Sequence, residues 1–428
     1  MTKKIFPIKT QTSCLLKWAW SSVFFNEGTT ASCHRTRKYP IDVNNFGSFH
    51  NHPEKIRARE LMLDGKWPGA GCEYCKIVED ADGISDRLSQ LDQQESLALT
   101  PPELYTDPTA TSVTPTILEV WFTNTCNMSC VYCGPRYSSI WEQEDKKFKR
   151  DIGVIHHHVD ITYVKNPNYD QMVSDLWKWM AEEDRYKIIQ RYHVLGGEPF
   201  LLRELDTSID FWNNHGNPDL VFSLFSNLNI PHDRFKTYIK KFERLVLSNK
   251  IWKLQLTASL DGWGPEQEYV RYGLSLDLWQ KNFEYLIDRP WISLSVNSVI
   301  SSLTIKQFPA LVEKINEWNK KQVTSIGRYP AEPILHSVVS SQIVGNIYSF
   351  GPGVFDQEFN RALAAMPIDT KIQQGQKDIL QGMSNALKKS TRNTNQILAL
   401  KEYLDELDYR RQTNWRDQFP WLDQDFSV

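Results

Sequence analysis

The sequence predicts an α/β protein: an incomplete (β/α)6 barrel, preceded by a small cysteine-bearing domain and followed by C-terminal helices. Three observations carry that prediction. From residue 116 onward, β-rich apolar runs alternate with helical stretches. Before it, Thr100-Pro101-Pro102 and a Thr/Pro-rich run ending at Pro115 interrupt regular structure. The seven cysteines fall into two groups, four before residue 80 and three between 126 and 133. Apolar strands alternating with helices imply parallel pairing through right-handed crossovers, and about six such units fall short of the eight of a full barrel.

In chain order, residues 1–80 form a short aromatic unit. Cys14 leads into Leu15-Leu16-Lys17-Trp18, a hairpin spans 22–28, and Cys33, Cys72 and Cys75 follow. Residues 81–115 read as a polar helix (86–99) and a Thr/Pro-rich linker. The barrel is assigned to 116–345, with strands at 117–122, 192–195, 220–225, 252–256, 292–297 and 323–326. Helices are expected between them at 170–182, 203–215, 232–247, 266–288 and 306–320. Residues 346–428 read as a helical cap, with a helix at 395–411 and then Trp415, Phe419, Pro420 and Trp421.

Composition narrows the function classes. With 428 residues, 41% of them hydrophobic, the chain can bury two cores. A net charge of -3 lacks the basic excess of a phosphate-gripping protein, so nucleic acid is not the expected partner. No apolar run approaches the roughly 20 residues that span a bilayer. The start, Met1-Thr2-Lys3-Lys4-Ile5-Phe6-Pro7, has no apolar core of a signal peptide behind it, so a soluble, cytoplasmic protein is expected. There, an odd cysteine count argues for metal or redox chemistry rather than a disulfide framework. The 15 tryptophans read as core, and His156-His157-His158 as a solvated loop.

The chemistry-bearing residues sit just after strands, where barrel enzymes place theirs. Cys126, Cys130 and Cys133 follow the first strand with C-x3-C-x2-C spacing. Three thiolates on one loop suit a soft metal or an iron–sulfur cluster, and a [4Fe–4S] cube held by three cysteines keeps one iron open. Gly196-Gly197-Glu198-Pro199 ends the second strand, Ser226-Asn227 the third, Ser259-Leu260-Asp261-Gly262 the fourth and Asn297 the fifth.

This pattern, including the aromatic Tyr132 before the last cysteine, resembles the signature of the radical S-adenosylmethionine (SAM) superfamily over about residues 116–330. The resemblance implies that Cys126, Cys130 and Cys133 hold a [4Fe–4S] cluster whose open iron binds SAM. One-electron reduction then yields a 5′-deoxyadenosyl radical that abstracts hydrogen from substrate. Tyr132 would border the cofactor. Gly196, Gly197 and Glu198 resemble the family's GGE element, which meets the SAM amino group. Ser259 and Arg271 resemble the S-x-D-G…R element that holds its carboxylate, and Ser226, Asn227 and Asn297 would contact the ribose. The N-terminal unit resembles the SPASM or twitch modules that carry auxiliary clusters, although those follow the barrel and this one precedes it. A second, auxiliary [4Fe–4S] cluster on Cys14, Cys33, Cys72 and Cys75 is implied, closed by four thiolates, with a structural zinc site as the alternative. The subgroup implies a ribosomally made peptide as substrate and a reductant such as flavodoxin or ferredoxin. A small-molecule or nucleotide-derived substrate is the alternative. From other classes come a non-catalytic iron–sulfur electron carrier and a zinc-binding interaction protein.

Overall fold

In the computed structural model, which describes residues 6–69, 71–81, 83, 85–92, 99–148, 165–326, 333–337 and 345–426, nine strands join in one sheet. The strands of the chain are β1 (Trp20–Phe24), β2 (Thr29–Ala31), β3 (Tyr39–Pro40), β4 (Ile117–Trp121), β5 (Ser129–Cys130), β6 (Arg191–Leu195), β7 (Val221–Ser226), β8 (Lys253–Ser259), β9 (Arg271–Tyr272), β10 (Ile292–Ile300) and β11 (Pro333–Ser337). Their order in the large sheet is β11-β10-β8-β7-β6-β4-β1-β2-β3. The six strands from β4 to β11 in that sheet are parallel and follow chain order. The histidine run 156–158 lies outside the described residues.

One face of this sheet is packed and the other is more open. Along β10, Ile292, Leu294, Val296, Ser298 and Ile300 are buried, while Ser293 is exposed and Ser295, Asn297 and Val299 are half-buried. Helices cover the packed face with apolar stripes at 3.6-residue spacing. The helix His232–Leu247 buries Phe235, Tyr238, Ile239, Phe242 and Leu245. The helix Leu276–Ile287 buries Trp279, Phe283, Leu286 and Ile287, and starts where the Ser275 hydroxyl accepts from Leu278 N at 3.3 Å.

Two sequence expectations are corrected. Residues 323–326 belong to the helix Phe308–Ile326 and not to a strand; the sixth parallel strand is β11, ten residues further on. Val323 and Ile326 also fit the apolar spacing of a helix, and β-branching alone misled. The expected helix 266–288 is two helices, Glu266–Val270 and Leu276–Ile287. Between them Arg271–Tyr272 pairs antiparallel with Ser129–Cys130, and Gly273 turns the chain at φ +99°.

The N-terminal unit is joined to the parallel strands by hydrogen bonds. The hairpin β1–β2 turns at Gly28 (φ +68°), and β1 lies parallel to β4, with Trp20 opposite Ile117 and Phe24 opposite Trp121. No break in the sheet falls at residue 80. A strand beside the free edge of β4 removes an exposed row of backbone donors and acceptors. The Thr/Pro-rich stretch is packed too: Leu99, Leu104 and Val113 are buried with Leu15, Leu16, Trp18 and Cys72 in a second apolar cluster.

Arg59, fully buried on the helix Pro53–Leu63, staples these segments. Nε donates to Lys17 O (2.8 Å), Nη1 to Asn51 Oδ1 (2.9 Å) and Thr111 O (2.6 Å), and Nη2 to His50 O (3.0 Å). Burial lowers its pKa to about 9, and carbonyl oxygens supply its main compensation. Arg59→Met keeps the stem and leaves those acceptors buried and unpaired. It is expected to destabilise the protein by about 3 kcal/mol in urea unfolding. A loss under about 0.5 kcal/mol would show that the staple is dispensable.

Candidate active site

The loop after β4 carries the three cysteines and is pinned from several sides. Ser139 Oγ accepts from Cys126 N and donates to Cys126 O, both at 3.1 Å. Trp141 Nε1 donates to Cys130 O (2.8 Å), and Ser138 Oγ donates to Met128 O (2.6 Å). From the C-terminal helix Thr394–Arg411, Tyr403 OH donates to Val131 O (2.6 Å). Cys130 stands opposite Arg271 in the β5–β9 ribbon.

Why β6 is followed by two glycines is visible at this loop. A Cβ on Gly197 would lie 2.3 Å from Thr125 O, and one on Gly196 2.8 Å from Thr123 O. Gly197 N and Glu198 N donate to those same two carbonyls. The close approach that requires glycine is therefore made by the backbone of the cysteine loop.

Glu198 is wholly buried. Its Oε1 accepts from Phe200 N (3.1 Å) and Ser226 Oγ (2.9 Å), and its Oε2 from Asn227 N (2.7 Å). Burial outweighs these donors and raises its pKa to about 7. A carboxylate has about four acceptor sites, so three protein donors leave room for one more. Asn227 Nδ2 donates to Asn127 Oδ1 (2.9 Å) and lies 3.9 Å from Cys126 Sγ. Ser226 and Asn227 are thus turned towards Glu198 and the cysteine loop.

Arg271 is also committed. Its Nε and Nη2 donate to the two oxygens of buried Asp261 at 2.9 and 2.8 Å, and Tyr132 OH donates to Asp261 Oδ2 at 2.7 Å. Burial alone would lower the Arg271 pKa; the Asp261 charge outweighs it, and the guanidinium stays charged. Arg271 therefore presents only its remaining N–H groups to a ligand. Ser259 and Asn297 differ: they are side by side in the β8–β10 register, both half-buried, and Asn297 Oδ1 is buried without a partner.

The seven cysteines are all free thiols. Burial, then the neighbouring Cys130 and Cys133, raise the Cys126 pKa strongly, and burial pushes Cys133 up to about 12. Cys14, Cys33, Cys72 and Cys75 line one small pocket with the buried Lys17, whose charge opposes the upward push of burial on Cys14, Cys33 and Cys72. Among the described residues, no three or more His, Cys, Asp or Glu side chains are closed as a metal-ion site. The donor chemistry nonetheless fits the implied groups: three thiols on one loop beside an acidic and an amide side chain, and four thiols around one pocket. A metal ion would lower the thiol pKa values and draw the ligands in.

Two residues escaped the sequence reading. Glu119 of β4 and His193 of β6 are opposite each other on the more open sheet face, with Nδ1 and Oε2 3.5 Å apart. Glu119 Oε1 accepts from Ser22 Oγ of β1 (2.6 Å) and from Trp121 Nε1 (3.1 Å). Their signal in the sequence was a charged residue and a histidine interrupting apolar strands.

The chain matches no protein family, and no curated protein matches it. Among solved structures it is similar to TYW1 with a lysine-pyruvate adduct bound, at 15% identity and a TM-score of 0.27, over 59% of this chain and 70% of that one. So remote a likeness does not bear on the chemistry. No helix of the described residues is long and apolar enough to cross a membrane.

The buried His193 gives a pH test. Burial, then Arg191, lowers its pKa from 6.5 to about 3, so it is neutral in the folded protein. Between those values the unfolded chain binds a proton that the folded chain refuses. Stability therefore falls as pH drops through that window, by up to about 5 kcal/mol. Urea midpoints of His193→Gln should fall less steeply between pH 7 and pH 4 than those of the unsubstituted protein. Parallel slopes would remove His193 as the source.

Proposed function

We propose that this chain is a radical SAM enzyme, with Cys126, Cys130 and Cys133 as ligands of a SAM-binding [4Fe–4S] cluster. The observation that carries the reading is the placement of the C-x3-C-x2-C loop at the strand ends, between Glu198 on one side and the Arg271–Asp261 pair on the other. When bound, the cluster and SAM supply a 5′-deoxyadenosyl radical that takes hydrogen from substrate.

The chain's own residues would bind and orient. Glu198 offers its remaining acceptor site to the SAM ammonium, and the free N–H groups of Arg271 face its carboxylate. Ser259 and the unpartnered Asn297 Oδ1 are suited to the ribose hydroxyls. Tyr132 OH and Asp261 keep Arg271 in one orientation. Tyr403 and the C-terminal helix cover the cysteine loop and exclude water from it. The four thiols around Lys17 would hold an auxiliary [4Fe–4S] cluster, closed to substrate and serving electron transfer. A ribosomally made peptide is the proposed substrate class, supported by the resemblance of the N-terminal unit to SPASM or twitch modules.

Anaerobically reconstituted protein is expected to contain about eight irons and eight sulfides per chain, and Cys126→Ala/Cys130→Ala/Cys133→Ala about half of each. With dithionite, the unsubstituted protein should release 5′-deoxyadenosine from SAM, while the triple variant should not. One tightly held zinc with only four irons would replace the auxiliary cluster by a structural zinc site. Absence of SAM cleavage at full iron content would end the enzyme reading.

A further inference from the structure

A cleft of about 760 Å³ opens at the N-terminal ends of the strands, across the sheet from the cysteine loop. It is lined by residues 43–47 and 50–51 of the N-terminal unit, by Glu103 and 112–115 just before β4, and by the end of the helix Tyr169–Ala181 with the turn after it. Its volume falls within the roughly 300–1,000 Å³ range of ligand sites. None of the residues discussed above as cofactor ligands lines it.

Two buried polar atoms in its lining have no partner. Glu103 Oε1 accepts from Thr114 N at 2.8 Å, while Glu103 Oε2 is buried and unpaired. His50 is 1% exposed, and its Nδ1 is likewise unpaired. Its Nε2 lies 2.9 Å both from Trp18 O, which only accepts, and from Arg59 Nη2, which only donates. Burial, then Arg59 and Lys55, hold the imidazole neutral. A buried carboxylate oxygen without a donor is costly, and Glu103 Oε2 calls for a donating ligand.

The surrounding charge selects which donor. Glu103, Asp175, Glu182 and Glu183 line the cleft against only Lys178 and Arg185, and those cations already pair with Asp175, Glu182 and Glu183. Glu183 is held in the left-handed region at φ 53°, followed by Asp184 at φ 55°. Two consecutive non-glycine residues there are strained, a condition that clusters at ligand clamps. At the rim, exposed Asn44 and Asn45 offer amide groups that can pair with a peptide backbone.

We propose that this cleft is a docking site for a cationic peptide segment, with an arginine or lysine side chain donating to Glu103 Oε2. It would anchor a peptide on the far side of the sheet from the chemistry, and the proposal stands independently of the radical reaction. Fluorescence anisotropy of a labelled, capped tri-arginine peptide on the reconstituted full-length protein tests it. Saturable, salt-sensitive binding is expected. Glu103→Gln/Asp175→Asn should weaken it about tenfold or more, while Glu402→Gln, an exposed acid outside the cleft, should leave it unchanged. Circular dichroism checks folding. Should the double variant misfold, Glu103→Gln decides, because it keeps an acceptor for Thr114 N. No saturable binding, or equal affinity in the variants, would overturn the docking site. Spermidine, of the same charge, competing better than the peptide would overturn the peptide assignment and leave a polyamine site. SAM cleavage measured on the same samples separates these outcomes from failure of the enzyme reading.

Discussion

One buried carboxylate organises the cysteine-loop end of the protein. Asp261, with no exposed surface, accepts from Arg271 twice, from Tyr132 OH and from Val299 N at 2.9 Å. Those four bonds tie together the end of β8, the ribbon strand β9, the cysteine loop and β10. An uncompensated charge at this depth would cost several kcal/mol, so the four segments hold their positions together or not at all. Arg271 is fixed by Asp261, β9 is fixed by Arg271, and β5 with Cys130 is fixed by β9. The position of the thiols is thus set from the opposite side of the site as much as by their own loop.

The second organising contact is the β1–β4 pairing. It places a serine from the N-terminal unit, Ser22, against Glu119 on the strand that leads into the cysteines. It also places the four-thiol pocket and the three-thiol loop on one continuous hydrogen-bonded frame.

Much of this was legible in the sequence because it depends on local spacing. Five of the six parallel strands, the hairpin at Gly28 and the helices at 203–215 and 232–247 follow directly from period-2 and period-3.6 patterns. The sixth strand did not, because β-branched residues at the end of a long amphipathic helix mimic a strand. The break at 271–272 did not, because only pairing with a segment about 140 residues earlier makes it extended. For the site, the cysteines and strand-end residues were readable from type and position. Their hydrogen-bond commitments were not. That Ser226 donates to Glu198, that Arg271 is saturated on one edge by Asp261, and that Gly197 makes way for Thr125 are all long-range facts. Glu119 and His193 stayed hidden because a lone polar residue in an apolar strand is most often a satisfied core group.

The parallel pairing of β1 with β4 has a consequence for biosynthesis. The two strands are separated by about a hundred residues, so β1 leaves the ribosome long before its partner exists. At roughly 5–20 residues per second the delay is about 5–20 s. During it, Cys14, Cys33, Cys72 and Cys75 have emerged without the edge that will hold their unit in place. The order of translation exposes these four thiols before the three of the cysteine loop.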